Sequence, residues 1–179
     1  MQPPANVARN SQIFQIWIRP VPHENGPFTF KAMQYELARL AKDGMSETDF
    51  SATRVFLSKF VKTLVASQDR QLGYAIDSRF YGTAEFTKYV QDGLQKLTRA
   101  DVNRVIRKHL RPDRLQYVVV TDDAARFQEK LLGSAPTPIT YTSKPDAEIL
   151  AEDKIIESLK IALDPKDIRV LPIEEVFRR

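Results

Sequence analysis

Two amphipathic stretches joined by one glycine turn constrain the fold of this chain more than any other feature. In the first stretch, apolar residues recur at three- and four-residue steps, which places them on one helix face: Phe30, Met33, Leu37 and Leu40. Gly44 ends this helix, because glycine takes the left-handed conformation without a Cβ penalty. Ser46 and Asp49 are spaced as in a capping box. They open a second helix with its own stripe: Phe50, Thr53, Leu57, Phe60, Val61 and Leu64.

The two helices are predicted over 28–43 and 47–65, antiparallel because the turn between them is short. Two further segments are predicted as β-strands, Gln12–Ile18 and the valine-rich Leu115–Thr121. Each helix has a single apolar face, so a sheet or a further helix must cover it on one side. The two strands are the only long β-rich runs and are expected to be neighbours in one sheet. The predicted fold is therefore α+β, an antiparallel sheet with the helices packed mainly on one face. Leu57 is expected in the helix–sheet core, where Leu57→Ala costs about 2–5 kcal/mol.

The rest of the chain adds shorter elements and a domain organisation. The further helices are predicted at 70–81, 84–92, 99–110, 122–132 and 145–160, and a last short strand at 168–171. Residues 1–11 are predicted to be a flexible lead-in, with two prolines and several small polar residues. Residues 12–122 form the main domain. Residues 123–179 are a C-terminal extension packed on it, because they hold few large apolar side chains.

Composition excludes several kinds of site. The 179 residues include no cysteine, so disulfides and thiolate metal sites are impossible. The two histidines lie far apart, without the spacing of a helical zinc site, and no Gly-x-Ser-x-Gly or glycine-rich phosphate loop is present. No apolar run approaches the ~20 residues of a membrane helix. Aspartates and glutamates are numerous, which leaves carboxylate catalysis as an alternative, but no pair of them is indicated. We therefore predict no catalytic and no metal-binding residue in this chain.

The two histidines have structural interpretations that we prefer to chemical ones. His23 stands in the turn before the first helix and is interpreted as a solvated turn residue, the alternative being a ligand or a base. His109 lies in the last turn of a helix, where a cationic imidazole complements the helix dipole.

A basic cluster marks the segment from 99 to 114. Its members are Arg99, Arg104, Arg107, Lys108, Arg111 and Arg114. One interpretation is a binding surface for nucleic acid or an acidic protein. The interpretation we favour is the solvated outer face of an amphipathic helix, because Asp101 and Asp113 are interleaved with the cations.

Several turns in this order resemble a known family. They are Lys42-Asp43-Gly44-Met45-Ser46-Glu47-Thr48-Asp49-Phe50, then Leu97-Thr98-Arg99-Ala100-Asp101-Val102, then Arg111-Pro112-Asp113-Arg114-Leu115 before a valine-rich strand. Over about residues 12–122, the chain resembles the later part of a domain of the pitrilysin/insulinase family of zinc metallopeptidases. The tail resembles extensions of some bacterial members.

The resemblance implies a role without catalysis. In that family a domain with His-x-x-Glu-His and a further zinc-binding glutamate pairs with a homologous domain that lacks zinc ligands. The present chain has no His-x-x-Glu-His, so it resembles the partner domain, which shapes the substrate chamber. The Arg and Tyr, seven apart, with which such a domain touches substrate normally precede Gln12–Ile18. Tyr74 does not replace them, because Ser67 stands seven positions before it. Substrate-binding residues are thus unknown.

The resemblance also sets expectations for partners and location. Zinc is expected only in the catalytic partner domain or subunit, with the peptide substrate bound in the full assembly. The chain is interpreted as a C-terminal fragment of a longer protein, so an apolar edge left open is expected to give a two-fold homodimer. A periplasmic location is expected because bacterial relatives are commonly exported.

Overall fold

The computed structural model describes residues 14–176, and the regular secondary structure it shows there is helical. Its α-helices are α1 Gly26–Asp43, α2 Glu47–Leu64, α3 Gln68–Tyr81, α4 Phe86–Lys96, α5 Arg99–His109, α6 Ala124–Leu132, α7 Ala147–Glu157 and α8 Ile173–Val176. Short 3₁₀ turns lie at His23–Asn25, Pro112–Arg114 and Pro165–Asp167. The predicted lead-in and the start of the first predicted strand lie outside the described residues.

Local end signals place the helices where the sequence predicts them. Gly44, after α1, has a φ of 75°. The Ser46 hydroxyl accepts from the Asp49 backbone N–H at 3.0 Å and begins α2. Thr98 and Asp101 form a capping box at the start of α5. The start of α4 differs from the prediction, because the Glu85 carboxylate caps the backbone N–H groups of Thr87 and Lys88. These two bonds hold the pKa of Glu85 below its ordinary value.

The predicted α+β class is wrong, since no strand or sheet occurs within residues 14–176. Residues 14–18, 115–121 and 168–171 are neither helical nor paired in a ladder. Strand propensity measures how well a side chain fits a pleated, half-buried surface, and it carries no information about whether a pairing partner exists. A β-rich run without a neighbouring strand leaves its ladder hydrogen bonds unmade. The prediction assumed that the first two runs were neighbours, and they do not pair.

The described chain divides into two compact units that are interleaved in sequence. The first unit comprises residues 14–17 and Leu40–Leu110, and the second comprises Ile18–Arg39 and 111–176. The boundary falls inside α1, between Arg39 and Leu40. The predicted division into 12–122 and 123–179 stays a prediction.

In the first unit, α4 packs against α2 and α3. Phe50 and Val61 of α2 are buried, and Tyr74 of α3 stacks on Phe86 of α4 with ring centroids 3.9 Å apart. Leu57 is 39% exposed, so its predicted place in the core is wrong. Phe50 and Val61 belong to the predicted stripe, whereas three other members of it are exposed: Thr53, Leu57 and Phe60.

The second unit has an apolar core reinforced by buried polar side chains. The core residues are Phe28, Phe30, Leu37, Leu131 and Ile156. Asn25 binds the backbone of Thr140 at both polar groups, through bonds of 3.3 and 3.2 Å. The buried Lys31 donates from Nζ to the carbonyl of Glu157 at 3.0 Å. These bonds fasten the 134–157 region to the start of α1.

Candidate partner-binding surface

The segment 115–121 has one side anchored to α1. Tyr117 lies against Phe30, with ring centroids 4.8 Å apart, and its hydroxyl accepts a hydrogen bond from the side-chain amide of Gln34. Burial raises the pKa of the Tyr117 phenol, an effect that the Gln34 bond partly offsets. The phenol therefore acts as a neutral packing group.

His23 anchors the end of the same segment. Its Nδ1 lies 3.1 Å from the Thr121 hydroxyl and 2.9 Å from Oδ1 of Asp122. The side chain is only 18% exposed, so its interpretation as a solvated turn residue is wrong. Its Nε2 is buried and has no hydrogen-bond partner in the described chain. Because Nε2 is buried and Nδ1 is engaged with Thr121 and Asp122, this geometry suits a structural contact.

The contact with His23 affects the pKa of Asp122. Its pKa is lowered, first by its own backbone N–H and then by the nearby His23. The Asp122 carboxylate is otherwise exposed, so His23 contacts an anion that solvent still reaches.

The opposite side of the 115–121 segment is open. Val118 and Val120 are 92% and 90% exposed, whereas Val119 between them is 45% exposed and Tyr117 and Thr121 are half-buried. This two-residue alternation is that of an extended chain. Within residues 14–176, no backbone–backbone hydrogen bond involves residues 115–121. The segment thus offers unpaired backbone groups and two exposed valines on one side.

In the first unit, α3 carries a second exposed apolar surface. Leu72, Ile76 and Phe80 follow each other at four-residue steps and are 63%, 49% and 70% exposed. Residues so spaced share one helix face, and such a face is typical of a helix that packs on a partner. The predicted homodimer stays a prediction.

The basic cluster of 99–114 is divided between the two units. Arg99 pairs with Glu47 at 3.0 Å, and Arg104 pairs with Asp101 of its own helix at 3.4 Å. Arg111 and Arg114 belong to the second unit, and Arg114 lies 3.9 Å from Asp113. Arg107, Lys108 and His109 occupy the last turn of α5, where cations complement the dipole, as predicted for His109.

The predicted absence of catalytic and metal-binding residues stays a prediction. Within residues 14–176, no group of three or more histidine, aspartate or glutamate side chains could hold a metal ion. None of the helices described is long and apolar enough to cross a membrane. The ring of Tyr74, which the sequence analysis rejects as a substrate contact, stacks on the ring of Phe86.

The sequence does not single out the exposed valines as a candidate site, because their run predicts a strand of the sheet. The only sequence signal for a one-sided segment is Tyr117, the single aromatic residue among the valines. No protein-family model, curated protein or solved structure matches this chain. The resemblance to the zinc metallopeptidase family therefore rests on the sequence turns alone.

Proposed function

We propose that this chain is a non-catalytic domain that binds a partner polypeptide through the 115–121 segment. The sequence resemblance suggests the partner, a zinc-bearing peptidase domain or subunit whose substrate chamber this chain helps to shape. The observation that carries the proposal is the open side of the segment, where Val118 and Val120 are at least nine-tenths exposed and the backbone is unpaired.

The physical argument is one of strand addition. An extended segment with unpaired amides and carbonyls gains backbone hydrogen bonds from a second extended chain, and its alternate side chains give specificity. The contacts of Tyr117 and Thr121 already hold the segment in place. Less conformational entropy is then lost on binding than for a free peptide. The partner's apolar side chains would cover the two valines.

The proposal is tested by affinity isolation from the native cells with the tagged chain. The wild type is compared with the double variant Val118→Lys/Val120→Lys, and bound proteins are identified by mass spectrometry. We expect the wild type to isolate a zinc-containing protein with a His-x-x-Glu-His sequence. We expect the variant not to isolate that protein. Both valines are exposed, so the free energy of unfolding of the variant is expected to lie within about 0.5 kcal/mol of the wild-type value.

The matched control is Val170→Lys/Val176→Lys, which adds the same charge at two exposed valines of the same unit. It is expected to retain the partner. Equal loss with both double variants would show that the 115–121 segment is not the docking site. Capture of a protein without zinc-peptidase residues would refute the identity of the partner. Chelator-sensitive peptide hydrolysis by the purified chain alone would refute the non-catalytic role.

A further inference from the structure

A groove runs between α2 and α4 in the first unit. It consists of two adjoining clefts of about 430 and 420 Å³, and Arg54 and Gln95 line both of them. The first cleft continues to Lys96 and Arg99, and the second to Lys59. Both clefts are shallow and open to solvent, so a ligand would lie along the surface of the unit.

The groove carries an excess of positive charge. The residues that line the two clefts include one carboxylate, Glu47 of the first cleft. Its Oε2 lies 3.0 Å from Nε of Arg99, which neutralises its charge. Arg54, Lys59 and Lys96 make no ion pair with another described residue. Arg54 instead lies over the Phe50 ring, 5.0 Å from its centroid, which holds the guanidinium at the groove wall.

The distribution of these cations indicates the shape of the ligand. Lys59 follows Arg54 by five residues on α2, about 7.5 Å along the helix axis. Lys96 lies at the other cleft. Three charges spread over two clefts fit a chain with several carboxylates better than one small anion.

The remaining lining favours a peptide over a nucleic acid. Gln95 offers a side-chain amide, which pairs with peptide groups, and Val55 and Leu94 provide aliphatic walls. The amide of Gln91 already donates to the Ser58 carbonyl at 3.3 Å. Phe50, the aromatic residue of the groove, is buried beneath Arg54 and has no face free for base stacking. We propose that this groove binds an acidic peptide segment, with Arg54, Lys59 and Lys96 contacting its carboxylates.

The test measures fluorescence anisotropy with a labelled ten-residue peptide that alternates glutamate and alanine. The variant is Lys59→Gln/Lys96→Gln, which removes two exposed groove cations. The matched control is Lys62→Gln/Lys108→Gln, which removes the same charge from exposed lysines of the same unit outside the groove. Circular dichroism confirms that all forms fold alike.

We expect the groove variant to weaken peptide binding by about tenfold, since charge-assisted contacts are lost, and the control to change it by less than about threefold. Binding by the wild type should also weaken as salt rises. Equal losses in both variants would overturn the proposal, because they would indicate a general charge effect. Absence of peptide binding, or tighter binding of a labelled ten-nucleotide single strand, would overturn it too.

Discussion

Asn103 of α5 binds the backbone of Met45 at both of its polar groups. Its Oδ1 accepts from the Met45 N–H at 2.7 Å, and its Nδ2 donates to the Met45 carbonyl at 3.1 Å. Met45 lies in the turn that precedes α2, so one buried amide fixes the position of that turn within the first unit.

Replacing Asn103 by Ala is expected to lower the free energy of unfolding by about 1–3 kcal/mol. Both Met45 groups lose their partner, and a buried polar group without a partner costs its desolvation free energy. Urea denaturation measures the change. Arg107→Ala, an exposed site on the same helix, serves as the control and is expected to change the value by less than about 0.5 kcal/mol.

Gly44→Ala is expected to destabilise the chain more than Gly82→Ala. Both glycines have positive φ, 75° and 66°, so each substitution places Ala in the left-handed region at a cost of about 1–2 kcal/mol. A Cβ at Gly44 would also lie 2.8 Å from Cγ of Asn103, whereas one at Gly82 would meet nothing within 4 Å. The difference between the two unfolding free energies isolates the steric clash.

A double-mutant cycle sharpens this comparison. Asn103→Ala removes the atoms that Gly44→Ala would contact, so the two losses are expected to be less than additive. Additive losses would show that the backbone moves to relieve the clash.

Val61→Ala is expected to cost about 2 kcal/mol, because Val61 is 3% exposed and its methyl groups leave a cavity. Val55→Ala makes the same change on the same helix at a site that is 54% exposed, and we expect a loss of less than about 1 kcal/mol. Leu57→Ala, at 39% exposure, should fall between them. Equal losses at Val61 and Val55 would mean that the buried face of α2 has been assigned wrongly.

Lys31 is expected to make the free energy of unfolding depend on pH in the alkaline range. Burial lowers its pKa from the ordinary value of 10.5, and the negative charge of Glu157 partly opposes this. Between the lowered pKa and 10.5, the unfolded chain binds more protons than the folded one, so stability rises with pH. The unfolding free energy of the wild type minus that of Lys31→Met should therefore increase with pH in this window.

Urea denaturation across that pH range provides the measurement. Lys42→Met, at an exposed lysine of the same helix, controls for the loss of one positive charge. A difference between wild type and Lys31→Met that stays flat or falls with rising pH would contradict the prediction.

The parts of this fold that the sequence predicts are those determined by nearby residues. Gly44 ends α1, and Ser46 begins α2 through a bond to a residue three positions away. A strand needs a second strand to pair with, which can lie far along the chain. The valine-rich run that contains Val118 does not itself indicate whether such a strand is present. The bond of Asn103 to Met45 spans 58 positions, and a lone asparagine in a helix gives no sign of it.

In the candidate sites, too, the sequence shows the local features but not those that depend on distant residues. The valine-rich character of 115–121 is visible in the sequence, but the exposure of Val118 and Val120 depends on what packs nearby. The groove cations Arg54 and Lys96 are 42 positions apart in the sequence, and packing of α4 on α2 is what brings them to adjoining clefts.

The interleaving of the two units has a consequence for synthesis on the ribosome. Asn25 binds Thr140 and Lys31 binds Glu157, contacts that span 115 and 126 positions. The start of α1 therefore leaves the ribosome long before the residues that bury Lys31 and Phe30. The first unit, residues 14–17 and 40–110, is synthesised in full before residue 111 and can fold earlier. During this interval the nascent 18–39 region exposes aromatic side chains, and a chaperone that binds such segments would act at this stage.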